Sequence, residues 1–263
     1  MPNLRSRGNE LYCKFTRKNN LMPNPFYDPG RARSDKVQQL FSGIARRYDL
    51  INDLQSFGLH RHWKKQVVKL ARPRAGDKAL DVCCGTGDIA FALAKHGAEV
   101  VGLDFSDAML AIAEFKVQSP KSKVQSPRFI RADAQQIPLP DESFDIVTVG
   151  YGLRNLADWE LGLKEMCRVA KPGARILSLE FGKPENATWR KIYFAYLRCF
   201  VPLLGKIFCN SSAAYAYILE SLKHFPAQNG VAAKMQELKL ANVRVVNFLG
   251  GVMSINYGEK PRG

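Results

Sequence analysis

The stretch LDVCCGTGD at residues 80–88 constrains this chain more than any other. The apolar run KALDV at 78–82 ends in a turn holding Gly85 and Gly87, and residues 89–95 then take helical spacing. A strand that hands over to a helix through a glycine turn is the unit of an open parallel sheet, whose ligands bind beyond the carboxyl ends of the strands. Gly85 and Gly87 lack a Cβ, so the backbone can pass close to a ligand there. The turn alone does not name that ligand, because nucleotide sites and plain tight turns share the device.

The pattern repeats downstream. Strands are expected at 99–103, 129–132, 144–149 and 174–181, and helices at 108–115 and 161–169, the last closed by KPG. Strands alternating with helices give right-handed crossovers, a mostly parallel sheet and helices on both faces. Runs at 243–249 and 252–257, parted by Gly250 and Gly251, predict an antiparallel hairpin at one sheet edge. Ahead of the sheet, a helix is expected from a cap at Ser34 or Asp35, followed by two or three helices broken at Gly58. Apolar and aromatic helices fill 189–222. One domain is expected over 35–263, with a helical lid at 35–75 and a flexible basic extension at 1–34. Met22 is a candidate true start. The duplicated KVQSP at 116–127 reads as a surface-loop insert.

Charge at the turns narrows the ligand. No GxxxxGK[ST] occurs, and Gly85-Thr86-Gly87 is not completed to G-x-G-x-x-G. Asp88 would repel a pyrophosphate but could pair with an ammonium, which favours an aminoacyl-nucleoside over a dinucleotide. Asp104 ends the second strand, about 20 residues beyond the turn, where a carboxylate accepts from ribose hydroxyls. Its alternative role, capping the next helix, suits Ser106 or Asp107 better. Asp133 and Ala134 follow the third strand. The carboxylate can accept from an adenine amino group and the next N–H can donate to a ring nitrogen, with an Asx-turn as the plain alternative.

These motifs resemble the class I SAM-dependent methyltransferases. More closely, the chain is similar to the ubiquinone/menaquinone biosynthesis C-methyltransferase family, through FSGIARRYDLINDLQSFGLHRHWK, LDVCCGTGD, GLDFSDAML, ADAQQIPLPDESFDIVTVGYGLRN and RVAKPGARILSLEF. The resemblance implies a Rossmann-like α/β fold and methyl transfer from S-adenosylmethionine (SAM) to a ring carbon of a polyprenylated quinol. It places SAM on Thr86, Asp104, Asp133 and Ala134. Cys83 stands where the usual first glycine would be, and Gly150 where some members have a serine contact. Arg154 of YGLRN is assigned to the developing phenolate or to a proton-accepting water, with Tyr151 and Asn155 beside it. The YDLIND segment, with Tyr48, Asp49, Asn52 and Asp53, would close over the cofactor. Of the quinols, demethylmenaquinol ranks first, a phytyl-naphthoquinol next and a methoxy-benzoquinol third.

Composition fits this reading. The net charge of +15 suits an anionic partner. No basic–aromatic platform for nucleic acid occurs, and no Asn/Asp-Pro-Pro-Tyr/Phe sequence for N-methylation. The stretch WRKIYFAYLRCFVPLLGKIF suits a lipid tail, with Arg190, Lys191, Arg198 and Lys206 turned to anionic headgroups. It is too interrupted to span a bilayer. The expected partners are a lipid-soluble quinol and a membrane surface, with room for a homodimer or a biosynthetic complex and none for nucleic acid. The six cysteines form no CxxC pair, His60 and His62 read as helix-surface residues, and no metal is expected. A cytoplasmic, reducing location follows, with peripheral contact on the inner membrane face.

Overall fold

A computed structural model describes residues 31–118, 126–209 and 213–262. The start at Met22, most of the basic extension and most of the KVQSP insert fall outside them.

Seven strands form one sheet in the order β3-β2-β1-β4-β5-β7-β6. They are β1 (Lys78–Val82), β2 (Glu99–Asp104), β3 (Arg128–Arg131), β4 (Phe144–Gly150), β5 (Ala170–Phe181), β6 (Ala241–Phe248) and β7 (Met253–Glu259). The first five pair in parallel, and β7 runs antiparallel between β5 and β6. This is the expected mostly parallel sheet with an antiparallel edge hairpin.

Helices α1 (Arg31–Ile44), α2 (Tyr48–Ser56) and α3 (Leu59–Ala71) precede the sheet. Then come α4 (Asp88–Ala94), α5 (Asp107–Val117), α6 (Trp159–Val169), α7 (Ala187–Cys209), α8 (Ala213–His224) and α9 (Ala227–Glu237). Successive strand residues point to opposite faces. Ala79, Ile146, Leu177 and Leu179 therefore pack with Trp63 and Val67 of α3 and Leu93 of α4. Leu80, Val82, Val147, Val149 and Ile176 pack with Leu163 and Met166 of α6 and Val231 of α9. Strand order reverses between β1 and β4, where a ligand crevice forms in such sheets.

Three local expectations are corrected, and one helix is new. Helix α1 starts by Arg31, so Ser34 and Asp35 lie within it instead of at its start. Helix α5 reaches Val117, so Lys116 is helical instead of opening a loop. Helix α6 ends at Val169 as expected, but the KPG segment that follows is itself strand. β5 starts at Ala170, which pairs with Phe144, and the Gly173 N–H donates to the Lys260 carbonyl. Helix α9 escaped the sequence reading because Gly230 sits inside it just after Pro226. An added Cβ at Gly230 would strike the Pro226 ring, so this glycine serves packing and not a helix break.

Candidate active site

Between β1 and α4 the backbone turns left-handed three times, at Cys83 (φ 53°), Gly85 (φ 55°) and Gly87 (φ 86°). These are the positions of a D-x-G-x-G-x-G turn. Cys83 keeps the conformation without being glycine, at a cost of about 1–2 kcal/mol. Its side chain fills space vacated by Gly152, where an added Cβ would run into Cys83 Cβ. We therefore expect Gly152→Ala to destabilise the protein by about 1–3 kcal/mol. Cys83→Gly in the same chain should restore most of the loss. Urea melts of the single and double variants check this, and a double variant no more stable than Gly152→Ala would contradict it.

The two glycines divide their work. Gly85 faces open space and lines a cavity of about 820 Å³ at the strand ends. Gly87 does not reach that cavity. A Cβ there would lie 2.9 Å from the rings of Phe91 and Phe129, so the missing side chain at Gly87 makes room for an aromatic pair.

Asp104 ends β2 on the same cavity. Its Oδ2 accepts from the Gly85 N–H (2.8 Å) and its Oδ1 from the Ser106 N–H (2.9 Å), which ties the two turns together. Ser106 takes the N-cap of α5, so Asp104 is not spent on capping. Burial pushes the Asp104 carboxyl above its ordinary range. Asp133 and Ala134 line the cavity too. Asp133 is exposed and also makes the Asx-turn, accepting from the Gln135 N–H at 2.8 Å. Gly150 lines it without a side chain, and a Cβ there would lie 2.7 Å from Ile89 Cδ1.

Thr86 and Asp88 sit elsewhere. They border a smaller cavity behind the turn, with Lys64, Asp81 and Ile89. The Thr86 hydroxyl donates to Asp49 Oδ1 (2.9 Å). Asp88, expected to meet a ligand ammonium, accepts from Lys64 (2.7 Å) and Lys116 (3.3 Å) instead. Burial disfavours its carboxylate, but the two lysines hold it below the ordinary range. Lys116 also reaches Asp49 Oδ2 (3.0 Å) and the Thr86 carbonyl (3.1 Å). The network fastens α2 onto the glycine turn. Deeper still, Asp81 accepts from Thr148 (2.8 Å) and the Ala90 N–H (3.1 Å), and burial pushes it up to about 7.

A second cavity of about 830 Å³ lies between α1, α2, α3, α7, α8 and the sheet. Its walls are mainly apolar and aromatic, among them Ile51, Trp63, Tyr193, Leu197 and Val201, with Asn52, Gln55, His60 and Arg154 as polar points. Phe41, Tyr48 and Tyr151 border both large cavities. Tyr151 (φ 62°) is buried, and its hydroxyl has no partner among the described residues. Burial lifts the Tyr48 and Tyr151 hydroxyls above their ordinary range, so both are neutral phenols at pH 7.

The YGLRN residues separate across a 3-10 turn, Leu153–Asn155. Arg154 lines the apolar cavity and Asn155 the strand-end cavity. Both donate to the Tyr151 carbonyl, at 2.8 and 2.9 Å. Arg154 is buried with Glu180, its Nη1 donating to Glu180 Oε2 at 2.8 Å, and its guanidinium lies 4.7 Å from the Phe181 ring centre. Burial opposes the Arg154 cation, but Glu180 holds its pKa above the ordinary value. This pair is interior, unlike the surface salt bridge that is the plain alternative for an arginine here. Sequence reasoning missed Glu180, Lys64 and Lys116, and set His60 aside as a surface residue. His60 is 4% exposed and lines the apolar cavity.

A model of the ubiE/COQ5 methyltransferase family matches residues 30–260. A demethylmenaquinone methyltransferase of Staphylococcus aureus (strain JH9) is 38% identical over 235 residues, 88% of this chain and 96% of the relative. A SAM-dependent methyltransferase from Aquifex aeolicus superposes with a TM-score of 0.54 at 20% identity, over 75% of this chain and 89% of its own. One from Thermotoga maritima gives 0.60 at 18%, over 84% and 99%. At those identities the two structures speak for the fold.

Proposed function

This chain belongs to the ubiE/COQ5 methyltransferase family, and we propose that it transfers a methyl group from SAM to a ring carbon of demethylmenaquinol. The observation that carries this reading is the meeting of two large cavities at Tyr48 and Tyr151. One is bounded by strand-end carboxylates and the Cβ-free Gly85, which suits an aminoacyl-nucleoside. The other is apolar with few polar points, which suits an aromatic ring carrying a prenyl tail.

The residues present fit SAM. Asp104 would hold the ribose hydroxyls, Asp133 and Ala134 the adenine edge, and Gly85 gives the backbone close approach. Bound there, SAM supplies an electrophilic methyl group. The chain supplies alignment, because both reactants are held on either side of the two tyrosines. Arg154 places a fixed cation where the quinol oxygen gains negative charge. Helices α1 to α3 act as a lid that keeps water out.

Contact with a membrane surface belongs to the same reading. Tyr193, Leu197 and Val201 of α7 line the apolar cavity, while Ile192, Phe200 and Leu203 point outward beside exposed Lys191 and Arg198. No helix among the described residues is long and apolar enough to cross a membrane. Such a face suits peripheral contact, and co-sedimentation with anionic vesicles tests it.

Deleting the gene tests the substrate. Mass spectrometry of the quinone pool should then show demethylmenaquinone accumulating. Accumulation of a demethylated phytyl-naphthoquinone or methoxy-benzoquinone would move the substrate accordingly, and an unchanged pool would contradict the reading.

A further inference from the structure

Methylation at a quinol carbon needs the neighbouring hydroxyl to lose its proton, and none of the residues assigned to the quinol so far can accept it. Arg154 is a cation, and Tyr48 and Tyr151 are neutral phenols. Every other titratable group lining the apolar cavity, among the described residues, is a tyrosine except His60. Resting on the quinol reading above, we propose that His60 is the proton acceptor, oriented by Ser56 and Asp53.

Its hydrogen bonds select the tautomer. The Ser56 hydroxyl gives its hydrogen to the Asn52 carbonyl, so toward His60 it is an acceptor. His60 Nδ1 lies 3.0 Å from Ser56 Oγ and 3.6 Å from Asp53 Oδ1. Nδ1 therefore carries the hydrogen, and Nε2 keeps the lone pair. The charges around the ring come from three helices. Asp53 on α2 and Asp88 on α4 favour the imidazolium, while Lys64 and Arg61 on α3 oppose it. Burial is the largest influence and lowers the His60 pKa, so the ring is a neutral base at pH 7.

The step balances. The quinol hydroxyl passes its proton to Nε2. The adjacent ring carbon bonds to the methyl group, and the departing sulfur keeps the electron pair of the broken C–S bond. The ring hydrogen then leaves to water as a proton while His60 returns its own proton to the oxygen, so each turnover releases one proton. Asp53 steadies the imidazolium in between, and it is itself held by Arg61.

The test is the pH dependence of methyl transfer at saturating SAM, with demethylmenaquinol kept reduced in detergent. The wild-type rate should fall with unit slope as pH drops through the imidazole pKa. His60→Gln should lose about 10²–10⁴-fold in kcat and the acid limb with it, while SAM binding by calorimetry stays within about threefold. Asp53→Asn keeps the imidazole and removes a charge that favours its protonated form, so its acid limb should move to lower pH. A His60→Gln protein that keeps its rate and its acid limb overturns the assignment, and so does an Asp53→Asn limb that does not move. A wild-type protein that binds SAM and methylates no quinol overturns the quinol reading, and this assignment with it.

Discussion

Replacing Glu180 with glutamine is expected to lower the stability of the protein by about 3–5 kcal/mol. Arg154 and Glu180 are 5% and 2% exposed and 2.8 Å apart, so each is the other's compensation for burial. The amide keeps the shape but leaves the guanidinium interior without a counter-charge. Removing both charges behaves differently, because an apolar pair of similar volume needs no compensation. Glu180→Leu with Arg154→Met should recover most of the lost stability in guanidinium melts. It should still transfer no methyl group, since the cation proposed to face the quinol oxygen is gone. A Glu180→Gln protein that melts with the wild type would contradict the buried pair. A double variant that remains active would remove Arg154 from the chemistry.

Asp104→Ala is expected to weaken SAM binding by about 10²-fold or more, near 3 kcal/mol, because a charged acceptor is removed from a half-buried site. The same substitution frees the Gly85 and Ser106 N–H groups, so both turns lose their tie. Asp133→Ala is the contrast. That carboxylate is exposed and partly spent on its own turn, so its loss should cost less than about tenfold. Isothermal calorimetry separates the two. Equal losses would contradict the placement of the ribose at Asp104.

The architecture could be read from the chain because its signals are local. The run 78–82, the glycine turn and Asp104 each depend on neighbouring residues, and β1 and β2 formed where their apolar runs lie. Asp104, Asp133 and Ala134 line one cavity for the same reason, because strand ends of an open sheet converge by topology. The rest of the site depends on distance in sequence. Glu180 looked like one more strand residue until β5 brought it 26 positions back to Arg154. His60 looked like a helix-surface residue because its helix is basic, yet Trp63 and Val67 turn that helix inward. Asp88 was read as a ligand group because Lys64 and Lys116, 24 and 28 positions away, gave no sign of reaching it. Gly87 shows the converse: the residue was recognised, but a phenylalanine pair fills the space beside its Cα.

The two cavities bordered by Tyr48 and Tyr151 are proposed to hold a methyl donor and a quinol. The most direct measurement incubates the purified protein with methyl-labelled SAM and chemically reduced demethylmenaquinol, and identifies the product by mass spectrometry. Menaquinol carrying the label on its ring carbon, one label for each SAM consumed, is the expected product. Tight SAM binding with no label on the ring, or label on an oxygen, would contradict that proposal.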